Sequence, residues 1–479
     1  MDSNNSGIIS GVKWTTISSV FSTLAKLVQI IILTRFLSKA DFGIIGIALM
    51  CVNISEVFLD LGISSGVMHV QGITKNQYSS LFWLNVFTGI IVYAVFLGLT
   101  PLIASYYKEP ELKSILPVIF LIIIISSFYR LQRTIQFKEM RFRFIALTEI
   151  SSSVIMLVFS VVFAILGWGV YSLVWSTVVY YLYLSIIYLG YSLLKIKNIY
   201  FHYSNKDLNP FIKIGIFQLG NSLLDTISSE LDTIIIGRVF SLEILGVYTI
   251  CKQLAHRVYG FINPIITKVL TPSLAILQDN IEAVKQKYMQ TLYYIALVNI
   301  PIYVFIAFFS PNILSILYGS QYQENYLVLS LLCIYYSFLC VGNPIGSLQV
   351  ALGRTDLGFY WTIYRVFSYA ITLYIGCLFN DINICIFSLV ILCLVNFYPS
   401  NEFLLKKMIR TKLIEYLKVY QIPFLLSICL GFVCFIHKME LSDIVTLIVG
   451  AVLFFPCYVL LLWVVRPEYI KIIMSIIKR

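Results

Sequence analysis

The sequence predicts an all-α integral membrane protein of about fourteen transmembrane helices, built as two parallel six-helix repeats plus two C-terminal helices. Three observations predict it. Hydrophobic residues fill 59% of the 479 positions and mean hydropathy is +0.89, more apolar surface than a soluble chain can hide. The apolar runs are continuous and about 20 residues long, as a bilayer-crossing helix requires, whereas barrel strands would be shorter and would alternate with polar residues. The third observation is an internal repeat. Arg35-x-x-Ser38-x-x-x-x-Gly43 returns 203 residues later as Arg238-x-x-Ser241-x-x-x-x-Gly246.

In chain order the expected spans are 14–34, 43–66, 80–105, 114–131, 144–166, 170–193, 211–237, 244–271, 288–310, 325–350, 357–379, 383–403, 421–437 and 443–465. Residues 1–13 read as a short polar tail leading straight into a span, so no cleavable signal is expected. Upstream of the repeated motif, Ser19, Ser22, Lys26 and Gln29 align with Ser222, Asp225, Ser229 and Asp232. Steps of three and four place each quartet on one narrow face of its helix. A second echo pairs Leu131-Gln132, Glu139-Met140 and Phe142 with Leu348-Gln349, Asp356-Leu357 and Phe359, at an offset of 217. The repeat divides the chain into an N-lobe at 1–200, a C-lobe at 201–404, and a basic connector with two additional helices at 405–479. Six helices per lobe restore the orientation, so the copies are parallel, a construction common among transporters. Loops are too short to hold a soluble catalytic domain.

The net charge of +11 is distributed by loop. One set carries Lys75, then Arg133, Lys138, Arg141 and Arg143, then Lys195, Lys197 and Lys206. Further along the same side come Lys285, Lys287 and Arg354, then Lys406, Lys407, Arg410, Lys412 and Lys418, and finally Arg466, Lys471, Lys478 and Arg479. The opposite loops hold only Arg35, Lys39, Lys108, Lys113, Arg238 and Lys438. This asymmetry predicts cytoplasmic N- and C-termini. It accounts for the basic charge without nucleic acid. Ten cysteines contain no CxxC pair, and the histidines (His69, His202, His256 and His437) are dispersed, so no metal site is expected. No phosphate-binding Gly-rich loop, HExxH or nucleophile–base pattern occurs, and Ser10-x-x-Lys13 lies in the polar tail. Energy coupling is therefore assigned to H+ or Na+, with no cofactor.

Ionisable groups inside a bilayer cost at least about 2.5–3.5 kcal/mol each, so each requires a reason. Span two offers Asn53, Glu56 and Asp60; span five offers Glu149. Span eight carries Lys252, His256, Tyr259 and Asn263 on one face with Arg257 beside it, and span eleven carries Trp361, Arg365, Ser368 and Thr372. Candidate substrate-binding residues are Lys26, Lys252, His256, Arg257, Arg365 and Asn263; candidate ion-coupling residues are Glu56, Asp60, Asp225 and Asp232. The competing reading is structural: ion pairs such as Lys26 with Glu56 would lock helices together. Glu149 and Glu230 are assigned to that reading, Glu230 lying about 140° from the Asp225 and Asp232 face. Arg35 and Arg238, at the outer ends of their spans, read as interface anchors.

Five words occur in order: Ser10-Gly11-x-Lys13-Trp14, Asp60-x-Gly62-Ile63, Trp83-Leu84-Asn85-Val86, Asn263-Pro-Ile-Ile-Thr-Lys-Val-Leu-x-Pro272 and Val341-Gly-Asn-Pro-Ile-Gly-Ser-Leu348. On these the chain resembles the polysaccharide transporter (Wzx-type) branch of the multidrug/oligosaccharidyl-lipid/polysaccharide (MOP) flippase superfamily, near the colanic-acid exporters. The resemblance implies alternating access of two lobes around a cationic cavity. It implies as substrate an undecaprenyl-pyrophosphate-linked oligosaccharide, moved from the cytoplasmic to the periplasmic leaflet. Membrane lipids and the polysaccharide polymerase and chain-length machinery would be its partners. Asp225 and Asp232 depart from a uniformly cationic cavity. A cation-coupled multidrug exporter of the same superfamily would suit those acids, but Lys26, Lys252, Arg257 and Arg365 would repel its cargo. A multispanning glycan polymerase or ligase would need larger external loops.

Overall fold

Inside a bilayer only a helix satisfies every backbone N–H and C=O within its own segment, so the long apolar runs fold as helices. The computed structural model describes residues 2–436 and 442–465, and these contain helices and connecting turns with no strand. Fourteen long helices are α1 Asp2–Leu33, α2 Lys39–Asp60, α3 Lys75–Tyr107, α4 Leu121–Lys138, α5 Phe142–Ile165, α6 Tyr171–Tyr191 and α7 Asn205–Val239, followed by α8 Leu242–Ala275, α9 Ile281–Phe308, α10 Tyr326–Gly342, α11 Thr355–Cys377, α12 Ile382–Val395, α13 Leu413–Ile436 and α14 Asp443–Val465. Each falls on one expected span. Among the described residues, eleven helical stretches are long and apolar enough to cross a membrane. The other three long helices are α7, α8 and α11, which carry polar stripes along their length. The chain is a multi-pass, all-α membrane protein. His437, Lys438, Arg466, Lys471, Lys478 and Arg479 lie outside the described residues.

Three local departures from the expected boundaries have physical causes. The polar residues before Trp14 continue α1 instead of forming a separate tail, since no proline interrupts them. The expected span 43–66 breaks at Asp60, where Leu61 and Gly62 both take left-handed backbone (φ 44° and 68°) before a short helix, Ile63–His69. Such a pair of conformations stops the i→i−4 ladder. The Lys138 ammonium donates to the carbonyls of Val67 and Val70, satisfying acceptors at the end of that short helix. The expected span 114–131 is two helices, Leu112–Ile119 and α4, with Pro117 beside the break.

The chain forms two compact units, Met1–Gly246 and Val247–Arg479. The first therefore extends past residue 200, because α7 packs on α2, α3 and the short helix Ile63–His69. Its core joins Ile63 and Val67 to Leu81, Phe82 and Val86 of α3, Leu131 and Ile135 of α4, and Leu208 and Phe211 of α7. The stretch 195–210 is bound to this core's edge: Trp83 Nε1 donates to the Tyr200 carbonyl at 2.9 Å, and Asp207 accepts from Ser80 Oγ at 3.0 Å.

The repeated motif has a visible purpose in the first unit. Ser38 caps α2 reciprocally with Asp41, its Oγ accepting from the Asp41 N–H at 3.2 Å. Ser241 Oγ accepts from the Ile244 N–H at 3.4 Å at the start of α8. The two helix starts then cross through the two motif glycines. A Cβ on Gly43 would sit 2.2 Å from the Leu242 carbonyl oxygen, and one on Gly246 would sit 1.8 Å from that of Lys39. Only a residue without a side chain permits this approach.

In the second unit, α9 packs against α10 and α13. Of the last two helices, which echo neither repeat, α13 packs on α9, and α14 is joined to α9 and to the short helix Ser310–Tyr318 that follows it: Asn312 Nδ2 donates to Asp443 Oδ1 at 2.7 Å, and the Tyr458 hydroxyl donates to the Leu297 carbonyl at 3.2 Å. Apolar side chains such as Ile444, Val452, Leu460 and Val464 on α14 remain exposed, as a lipid-facing surface requires.

Candidate functional site

Breaking α2 at Asp60 leaves a polar helix end facing α4 and α7, and a cavity of about 440 Å³ opens there within the first unit. From α2 come Asn53, Glu56 and Asp60; α4 supplies Arg130; α7 supplies Ser222, Thr226, Ser229 and Glu230. The apolar lining is slight, with Val57 and Leu219 beside Gly62. The Arg130 Nη2 group lies 3.2 Å from Glu56 Oε2, and the Tyr181 hydroxyl donates to Glu56 Oε1 at 3.1 Å. Asn53 Nδ2 donates to Glu230 Oε1 at 2.8 Å, tying α2 to α7. The Ser64 hydroxyl donates to Asp60 Oδ1 and lies 3.3 Å from Thr134 Oγ1. Three carboxylates and one guanidinium leave the lining formally anionic.

A second polar cluster in the same unit is structural. Glu149 accepts from Arg133 at 2.6 Å and from Ser18 Oγ at 2.7 Å, joining α5 to α4 and α1. Ser153 donates to Ser22 one turn further along, at 3.0 Å. Lys26 is exposed on α1, its ammonium 5.7 Å from the centre of the Tyr180 ring. The carboxylate expected to pair with Lys26, that of Glu56, is held by Arg130 and Tyr181, which α4 and α6 supply.

The α7 stripe divides. Ser222 and Ser229 line the cavity with Thr226 and Glu230. Asp225 and Asp232 turn roughly 90° from the centre of that face, at 100° per residue. Asp225 is exposed, whereas Asp232 is 2% exposed and accepts from the Thr233 N–H at 2.7 Å. Glu230, assigned from sequence to a structural pair, therefore occupies the cavity wall as well as bonding to Asn53.

The remaining predicted residues belong to the second unit. His256 is exposed on α8, its ring centre 5.4 Å from Tyr259 and 5.8 Å from Tyr336. Asn343 donates to the Tyr259 hydroxyl, and Arg365 on α11 is near enough to act on Tyr259 electrostatically. Asn263 is 3% exposed, and its Nδ2 donates to the Cys340 carbonyl at 3.2 Å. It joins α8 to α10. Lys252 and Arg257 are half-buried, Arg257 on the side facing Tyr318. So α8 and α11 gather His256, Tyr259 and Arg365, while Arg257 points to a different neighbour.

Arg130 was missed in the sequence because it stands one residue inside the end of an apolar run, where a cation reads as an interface anchor. Its one signal was Thr134, which lies one helical turn further along and so shares its face of the helix.

Comparison with known proteins gives this architecture a family. The chain is 26% identical over 423 residues to the lipopolysaccharide biosynthesis protein WzxC of Escherichia coli, covering 88% of this chain and 85% of that protein. It is 25% identical over 435 residues to the teichuronic acid biosynthesis protein TuaB of Bacillus subtilis, covering 91% and 90%. In fold it is similar to the lipid II flippase MurJ in an inward closed conformation, with TM-score 0.76 at 15% identity over 96% of this chain and 100% of that one. An inward-facing multidrug resistance MATE family transporter of the MOP superfamily matches with TM-score 0.62 at 15% identity, over 87% and 96%. Residues 32–327 match the model of the family described as "Polysaccharide biosynthesis protein". The chain belongs to that family and has the MOP-superfamily fold.

Proposed function

We propose that this protein is a flippase that carries undecaprenyl-pyrophosphate-linked oligosaccharide from the cytoplasmic to the periplasmic leaflet of the inner membrane. The observation that carries this reading is the union of a polysaccharide biosynthesis family sequence with the fold shared by the lipid II flippase. Relatives named for lipopolysaccharide and teichuronic acid biosynthesis support a lipid-linked sugar as cargo. In this reading all fourteen long helices cross the membrane, the three polar ones (α7, α8 and α11) bordering the substrate path. Two lobes of six helices exchange access, with both termini cytoplasmic. Lys252, His256, Arg257, Asn263 and Arg365 of the second unit and Lys26 of the first draw in the pyrophosphate, Arg through forked donors and Lys through a compact charge. The polysaccharide polymerase and chain-length machinery receive the product.

Deleting the gene should leave undecaprenyl-linked repeat units accumulating on the cytoplasmic side. The Lys26→Ala, Lys252→Ala, Arg257→Ala triple variant should fold and insert yet fail to restore export. Normal export by that variant would remove these cations from the mechanism. For coupling, carboxylates in an apolar bundle can take up and release H+, or ligate Na+. Glu56, Asp60, Asp225 and Asp232 fill that role in this proposal. Asp225→Asn and Asp232→Asn should leave binding near normal while weakening the dependence of transport on the ion gradient. Unchanged gradient dependence in both would end the coupling role. A drop in melting temperature with normal transport would make them structural.

A further inference from the structure

The cavity at the broken end of α2 has a chemistry unlike that expected of a pyrophosphate site, and its size and lining select another ligand. Its volume of about 440 Å³ would hold on the order of fifteen waters at about 30 Å³ each. That is far more than a single coordinated cation needs, and it falls within the range of about 300–1,000 Å³ typical of small-molecule sites. Glu56, Asp60 and Glu230 would repel a phosphate, while Arg130 would repel a metal ion. Both kinds of group are only partly engaged by protein. Arg130 carries five N–H donors; its Nη2 lies against Glu56, while its buried Nε is without a hydrogen-bond partner among the described residues. Glu56 and Asp60, each with two oxygens and about four lone-pair sites, retain acceptor capacity beyond the bonds from Arg130 and Tyr181 and from Ser64. A hydroxyl group donates and accepts at once, so a polyol can answer carboxylate and guanidinium together. Ser222, Thr226 and Ser229 add further partners of the same kind.

We infer that this cavity is a sugar-recognition subsite, binding the hydroxyls of the glycan portion of the cargo and not its pyrophosphate. The inference rests on the flippase reading for the identity of the cargo. It assigns Glu56, Asp60, Glu230 and Arg130 as specificity-determining residues, in a unit separate from the α8 and α11 cations, and so leaves ion coupling to Asp225 and Asp232. Hydrogen bonds to charged groups contribute about 1.5–3 kcal/mol each, so losing one should weaken binding about tenfold to a hundredfold.

The test uses the full-length protein in lipid nanodiscs and two probes, undecaprenyl pyrophosphate without sugar and the glycolipid extracted from a strain lacking the gene. The wild-type protein should bind the glycolipid at least about tenfold more tightly than the bare lipid. Asp60→Asn with Glu230→Gln should erase that preference and leave the affinity for the bare lipid unchanged. Because those changes touch helix contacts, Thr226→Val with Ser229→Ala serves as a second variant with every charge intact, and it should narrow the preference. A preference retained in both variants overturns the subsite. So does a loss of bare-lipid affinity matching the loss for glycolipid, which would make the cavity a headgroup site. Binding of neither probe by the wild-type protein would instead defeat the flippase reading, and the subsite with it.

Discussion

At the scale of single residues, Arg130 and Glu56 form the pair on which the first unit's polar interior turns. Their side chains are 21% and 26% exposed, so the pair is neither a surface contact nor fully desolvated. Removing one partner from a fully buried pair costs about 3–5 kcal/mol, and partial exposure should reduce this to about 2 kcal/mol for Arg130→Ala. Melting of the detergent-solubilised protein measures it. Adding Glu56→Gln to Arg130→Ala should cost less than the two single changes summed, since the carboxylate no longer lacks its partner. Full additivity would show the contact to be incidental. Glu56 and Asp60 could be found in sequence because a carboxylate within an apolar run is rare. Arg130 was passed over, because a cation near the end of a span has an innocent explanation. Glu230 was read as a structural partner, which its bond to Asn53 bears out, but its place on the cavity wall was not readable. Helical spacing grouped Asp225 with Asp232, but which face of α7 meets α2 depends on packing that no periodicity reveals.

At the scale of elements, the positions of all fourteen long helices were legible, since a continuous apolar run in a membrane protein has one stable backbone solution. The interruptions were less so. Span two looked continuous through Gly66, and the left-handed Leu61 next to Gly62 gives no signal in hydropathy. The repeated glycines were visible as a pattern whose meaning lay in a contact between copies. Gly246→Ala should therefore lower stability by about 1–3 kcal/mol, with Gly43→Ala similar, because each new Cβ meets a helix carbonyl that can move only with its helix. Gly98→Ala in α3, where nothing lies within 4 Å, is the control and should be neutral or stabilising by up to about 1 kcal/mol. Equal melting temperatures for Gly246→Ala and Gly98→Ala would refute the close crossing.

At the scale of the whole molecule, the charge asymmetry between loops yields a topology that can be checked position by position. Single cysteines at Lys138 and Arg410 in a cysteine-free background should resist an impermeant thiol reagent applied outside the cell, and one at Lys113 should react. External labelling at Lys138 would reverse the orientation. Composition made the membrane class and the multi-pass architecture readable before any coordinate. The family came from short words spread through the chain, because 25–26% identity to its relatives leaves few long matches. Where the first compact unit stops was not readable. The sequence repeat places the second copy's beginning near residue 201, whereas packing carries the first unit through Gly246.

The glycine crossing bears on how the chain can be shortened. Its second half lies at the head of α8, so a fragment stopping at residue 200 would discard α7, one wall of the cavity and the backbone that Gly43 was cleared to receive. Helix α2 would then present an apolar notch and an Asn53 deprived of its Glu230 acceptor. A truncation after Gly246 keeps the crossing, the cavity and the bound 195–210 stretch in one piece. The smallest part of this chain with a complete interior thus ends beyond the point where its sequence begins to repeat.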